Sequence, residues 1–178
     1  MKKMWLAVVL GLALGSSPAS AEETKRRAHA EFGAATYMSL IYRDKRIEPA
    51  VGWDFGLAIA CPVGKKSDIL LGLGFGLGFN SEFSFGPSFG LAFLHPLDNG
   101  EKVKFGGAVL GFLEYSSNGQ LRSGAVGTGP TLSIEIGSDV SLALTPAFMA
   151  GFVDKNRADP GFLFRAEFAF TRHRASHK

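Results

Sequence analysis

From Leu71 to Phe79 a large apolar side chain stands at every odd position, and from Gly72 to Gly78 glycine stands at every even one, in the run ILLGLGFGLGFN. A period of two belongs to a strand whose two faces meet different surroundings. Here one face asks for an apolar medium and the other leaves almost no side-chain bulk. Soluble antiparallel sheets usually carry charge on the solvent side. The arrangement that suits both faces is a strand of a narrow barrel standing in lipid, leucine and phenylalanine outward and glycine inward.

Seven further segments share the period. They are Ala30 to Tyr42, Ala50 to Cys61, Phe83 to Leu94, Lys102 to Tyr115, Ser123 to Ile136, Val140 to Phe152 and Gly161 to Thr171, with Asp68 to Phe79 third in chain order. Between them lie RDKRIEP, PVGKKS, NSE, HPLDNGE, SSNGQLR, GSD and VDKNRADP, rich in turn formers or charge. Segments of this length match a tilted crossing of the hydrocarbon layer, and an even strand number lets the sheet close without the unpaired edge that lipid does not tolerate. The expected fold is all-β, an eight-stranded antiparallel up-and-down transmembrane β-barrel over residues 22–171, with a basic tail at 172–178. The competing arrangement is a soluble periplasmic barrel or sandwich with its phenylalanines inward, a lipocalin-like ligand binder. Its outer face would then be Gly, Ala and Ser, with few of the charges such surfaces use.

The opening MKKMWLAVVLGLALGSSPASA has the plan of a cleaved secretory signal: Lys2 and Lys3, an apolar run from Met4 to Leu14, and small residues ending in Ala19-Ser20-Ala21. A run of about a dozen residues is short for a membrane helix. Cleavage after Ala21 leaves 17 basic against 16 acidic residues, a balance that argues against a nucleic-acid partner. Cys61 is the only cysteine, which excludes an internal disulfide and a cysteine-based metal cluster. Of the 23 glycines, 21 lie after the signal, and they recur inside apolar segments instead of clustering as a linker would.

The faces sort cleanly. Val140, Leu142, Leu144, Pro146, Phe148, Ala150 and Phe152 alternate with Ser141, Ala143, Thr145, Ala147, Met149 and Gly151; Phe162, Phe164, Ala166, Phe168 and Phe170 alternate with Leu163, Arg165, Glu167, Ala169 and Thr171. Val51, Trp53, Phe55, Leu57 and Ile59 oppose Gly52, Asp54, Gly56, Ala58 and Ala60. In the fifth segment Leu110 and Phe112 fall on the inward face, and Gly106-Gly107 is a candidate bulge. A barrel of this size has an interior that side chains can fill, so the lumen is expected to be filled.

The pattern resembles the small eight-stranded outer-membrane barrels of Gram-negative bacteria, of the OmpX-like and OmpA transmembrane type, over the whole chain after the signal. The resemblance rests on periodicity and on the aromatic-rich last strand, where Phe164, Phe168 and Phe170 look like the signal read by the barrel-assembly machinery. The chain departs from that pattern in that TRHRASHK follows Phe170. The resemblance implies an outer-membrane location, lipid and lipopolysaccharide as surroundings, a monomer, and both ends of the barrel on the periplasmic side. Tyr42, Trp53, Phe83 and Tyr115 would then form an aromatic girdle with Phe79 at the outer rim, and Phe32, Phe93, Phe105 and Phe170 one at the inner rim. The external loops would all be short.

Little here carries chemistry. Gly86-Pro87-Ser88-Phe89-Gly90 matches G-x-S-x-G, yet it lies inside an alternating strand with no helix after it, so Ser88 reads as a small lumen residue. The glycine run contains neither a dinucleotide fingerprint nor a P-loop lysine, and no cofactor or metal is implied. His29 and His95 fall at the periplasmic end, and His173 and His177 in the tail, away from the leaflet where a lipid A-modifying barrel would work. What remains is an inward charge set, Glu31, Asp54, Lys104, Glu135, Arg165 and Glu167, in which Lys104 and Arg165 would be compensated by Glu31, Glu135 and Glu167. The reading is a structural, envelope-maintaining barrel without catalysis, with a narrow channel and a lipid A enzyme as alternatives.

Overall fold

The computed structural model describes residues 28–79, 83–154 and 157–171, so the expected signal at 1–21 and the tail at 172–178 lie outside the described residues. Eight strands make up the fold: β1 (His29–Arg43), β2 (Arg46–Val63), β3 (Ser67–Phe79), β4 (Phe83–Pro96), β5 (Val103–Ser116), β6 (Leu121–Glu135), β7 (Val140–Asp154) and β8 (Arg157–Thr171). Each pairs antiparallel with its sequence neighbours, and β8 returns to β1, closing the sheet in the order 1 to 8. The start of β1 and the end of β8 share one rim, where Glu31 faces Thr171. We call this the lower end and the rim of the β1–β2 hairpin the upper end.

Two strands begin earlier than the turn-forming residues suggest. β2 starts at Arg46 and β8 at Arg157, so RDKRIEP and VDKNRADP are largely strand. In the first hairpin only Asp44 and Lys45 turn, both left-handed at φ 47° and 65°, the pair of positive values that a two-residue type I′ turn requires. Pro49 and Pro160 read as breakers, yet both stand on outward positions of strands that continue beyond them.

The suspected bulge at Gly106-Gly107 is not formed. Pairing on both sides of β5 runs in register through these residues, and Leu110 and Phe112 point into the lumen. The register shifts instead beside Glu114 and Tyr115, and again between Phe152 and Asp154. Proline accounts for the two gaps in the ladders: β4 and β5 do not pair at residues 86 and 87, and β6 and β7 do not pair at 129–131. Pro87, Pro130 and Pro146 have no N–H to give. At Gly129 the backbones come so close that a Cβ would meet the Pro146 carbonyl oxygen.

The alternation holds in every strand. Most leucines and phenylalanines of β2, β3, β4, β7 and β8 are on the outside, with Leu73 75% and Phe148 76% exposed, while Leu94 and Leu163 take inward positions. An apolar belt of this extent far exceeds what a soluble surface carries, and the arrangement with phenylalanines inward is not adopted. The barrel's own core lies in the lumen, where Leu110, Ala125, Ala147, Met149 and Leu163 pack together with Tyr37, Ile41 and Phe112 against them.

Candidate functional site

The inward positions of the eight strands make one site, the lumen. Its centre is a polar belt joining β4, β2 and β8. Ser88 Oγ donates to Asp54 Oδ1 at 2.7 Å, Arg165 Nη2 donates to Asp54 Oδ2 at 2.9 Å, and Arg165 Nη1 donates to Glu167 Oε2. The belt crosses β3 at Gly74, where a Cβ would sit 2.6 Å from Ser88 Oγ and 2.8 Å from Asp54 Oδ1. Glycine there makes room for the carboxylate, and Arg165 is shared between Asp54 and Glu167, which keeps both carboxylates paired in the interior.

Toward the lower end Lys104 Nζ donates to Asp68 Oδ2 at 3.1 Å. Glu31 accepts from Thr171 Oγ1 at 3.3 Å and lies 3.0 Å from His29 Nε2. Glu135 is exposed and lines the mouth. Toward the upper end Arg43 bridges Asp159 at 2.8 Å and Glu48 at 3.0 Å, while Ser123 Oγ donates to Glu114 Oε2 at 2.5 Å.

The expected charge set is thus inward throughout, but its partners differ from those inferred. Asp54, not among the carboxylates expected to compensate the cations, is the centre of the belt, and Lys104 pairs with Asp68 instead of Glu31 or Glu135. Asp68, Glu114, Arg43, Glu48 and Asp159 were missed. Asp68 and Glu114 sit on the inward parity of their strands, so the same period-two count would have found them. Arg43, Glu48 and Asp159 were hidden by the assignment of their segments to loops.

A second layer crosses the lumen above the belt. Tyr37 on β1 stacks on Phe112 of β5, ring centroids 5.9 Å apart, from the strand opposite in an eight-stranded ring. The tyrosine ring is accommodated by Gly52 and Gly78, whose absent side chains would otherwise meet it. Leu163, 2% exposed, Leu110 and Met149 back the stack on the β5–β8 side.

The lumen is not filled, contrary to expectation. A cavity of about 990 Å³ runs from Lys102 and Asp139 at the lower mouth, past Asp54 and Arg165, along the glycine-rich wall to Gly78 and Glu114. On the other side it stops at Leu110 and Leu163, with Ala125, Ala147 and Met149 beyond its edge.

Among the described residues no serine of the lumen is hydrogen-bonded to a histidine. Ser88 donates its hydrogen bond to the Asp54 carboxylate, and the two histidines among the described residues are at the lower rim, His29 beside Glu31 and His95 2.9 Å from Ser67 Oγ. Among the described residues no group of three or more metal-ligating side chains converges.

On the outer face the girdle residues Trp53, Phe83 and Tyr115 belong to a continuous chain of rings. Trp53 meets Phe79 at 5.7 Å, Phe79 meets Phe83 at 5.2 Å, and Phe85 links Phe83 to Tyr115. Tyr42 stands exposed at the upper end of β1, and Phe32 meets Phe170 at 6.4 Å at the lower end. Phe164, Phe168 and Phe170 all point outward from β8.

No protein-family model matches the chain, and no match is found among curated proteins. Solved structures do match. Neisserial surface protein A aligns with a TM-score of 0.52 at 12% identity, covering 83% of this chain and 100% of that one. Ail, the attachment invasion locus protein of Yersinia pestis, aligns at 0.50 and 7% identity with the same coverage. The fold is that of the small outer-membrane barrels. At these identities the likeness carries the architecture of the barrel and leaves its activity to be argued from its own residues.

Proposed function

We propose that this chain is a monomeric barrel of a Gram-negative outer membrane, with a structural, envelope-maintaining role and no catalysis. The apolar outer belt and its rings support lipid and lipopolysaccharide as its surroundings. Phe164, Phe168 and Phe170, outward on β8, suit recognition by the barrel-assembly machinery, and the lower end with its paired strand ends is the periplasmic one. The observation that carries the structural role is the Tyr37–Phe112 stack, which crosses the lumen between opposite strands above the ion-paired belt.

A narrow channel is the second reading, favoured by the cavity that follows the glycine-rich wall. Planar-bilayer recording separates the two. The purified barrel should give no conductance steps, and Tyr37→Ala combined with Phe112→Ala should introduce them. Steps in the unaltered protein would instead select the channel. For the lipid A alternative, expression should leave the lipid A mass spectrum unchanged.

A further inference from the structure

We propose that the upper part of the lumen holds a site for a primary ammonium group, formed by Glu114, Tyr37 and Ser84. The residues are brought together by pairing around the barrel. Tyr37 pairs with Gly52, Gly52 with Gly78 and Gly78 with Ser84 across β1 to β4, and Glu114 of β5 faces Ser123 of β6. The two glycines leave the middle of this row bare, so the Tyr37 ring lies over them and its hydroxyl comes within reach of the far strands. Ser84 Oγ, Tyr37 Oη and Glu114 Oε1 lie 2.6, 3.0 and 3.3 Å from the point where a Gly78 Cβ would stand, and all four residues line the cavity.

The bonding of these oxygens is incomplete. Ser84 is only 4% exposed, yet among the described residues neither its hydroxyl nor that of Tyr37 has a hydrogen-bond partner. Buried polar groups normally have one. Glu114 accepts the Ser123 hydroxyl on Oε2, which leaves Oε1 turned toward Gly78. Asp54 and Glu167 share Arg165 and Asp68 has Lys104, whereas no described side chain forms an ion pair with Glu114. A charge held in a narrow lumen calls for a partner. A primary ammonium supplies one positive charge and three N–H donors, one for each oxygen, and charge-assisted bonds are the strong ones. The cavity connects the site with the lower mouth past Asp54 and Arg165, which gives a small amine its way in. The site depends on neither the structural nor the channel reading.

The test watches Tyr37 itself. The exported chain, residues 22–178, is refolded in zwitterionic detergent with its tyrosines labelled at 13Cζ, and Tyr37→Phe identifies the Tyr37 resonance. Added n-butylammonium chloride should move that resonance along a saturable one-site curve. Neither n-butanol, of like size without charge, nor tetramethylammonium, charged without an N–H, should do so. Glu114→Gln keeps an acceptor for Ser123 and should weaken the amine about tenfold or more, and Ser84→Ala about threefold. Each variant is verified as folded by its heat-dependent gel shift, and if Glu114→Gln does not refold, Ser84→Ala decides in its place. Failure of n-butylammonium to saturate, or an unchanged midpoint in the folded variant, would overturn the site. An equal response to tetramethylammonium would overturn the three hydrogen bonds, and sodium chloride saturating the same shift would overturn the amine in favour of a metal ion.

Discussion

The two walls of the lumen are built from strands with the same outer face and opposite inner ones. β3 and β4 turn leucine and phenylalanine outward and present Gly72, Gly74, Gly76, Gly78, Gly86 and Gly90 within, while β6 to β8 also turn apolar residues outward but bury Ala125, Ala147, Met149 and Leu163. The difference shows what the glycines are for. A narrow lumen cannot hold large side chains from every strand, so bulk on one wall requires bareness on the other. Tyr37 leans over Gly52 and Gly78, and Asp54 lies over Gly74. The bare wall is a receptor for side chains from elsewhere, and where none reaches it the cavity remains.

Perturbing the two walls should give effects of different size. The largest is expected where they are tied together. Arg165→Ala would leave Asp54 and Glu167 buried without their cation, and urea unfolding of the refolded barrel in vesicles should register a loss of about 3–5 kcal/mol. Next is the packed wall: Leu163→Ala removes a side chain 2% exposed from the lumen core and should cost about 3 kcal/mol in the same titration. Beside that wall, on β2, Gly52→Ala pushes a Cβ onto the Leu77 carbonyl oxygen and to 2.5 Å from the Tyr37 ring, so a loss of about 2 kcal/mol is expected, together with a change in the tyrosine near-ultraviolet circular dichroism. Smallest is Gly72→Ala, whose Cβ would find Ala58 Cβ at an ordinary 3.7 Å. That change should leave the gel-shift midpoint unchanged or raise stability by about 0.4–1 kcal/mol, because it restricts only the unfolded chain. If Gly72→Ala proved as costly as Gly52→Ala, the room beside each glycine would not set the cost, and the account of the bare wall would fail.

Much of this architecture could be read from the residues, and the reason is local. Which face a side chain takes depends only on parity within a strand, so Leu71 to Phe79 declare their sides without knowledge of any partner. Pairing across the lumen depends on closure and stagger, which no single strand contains. Hence Asp54 could be placed inward but not joined to Arg165, 111 residues away, and the meeting of Tyr37 with Phe112 had no local signal. The strand ends were misjudged for a different reason. Pro49 and Pro160 normally mark loops, but here they occupy outward positions of hairpins that continue past the apolar belt and are tied by Arg43 to Glu48 and Asp159. The free volume escaped notice because counting glycines says where bulk is missing and not which neighbours supply it.

Both walls of the lumen, the packed one and the bare one, follow from a phenylalanine face that meets lipid. The direct measurement is to express the precursor in a Gram-negative host, isolate the outer-membrane fraction and run it on a gel boiled beside unboiled. A protein recovered in that fraction whose mobility changes only on heating is the result this account predicts. Recovery as a soluble periplasmic protein with no heat-dependent shift would contradict it, and would turn the two faces of every strand inside out.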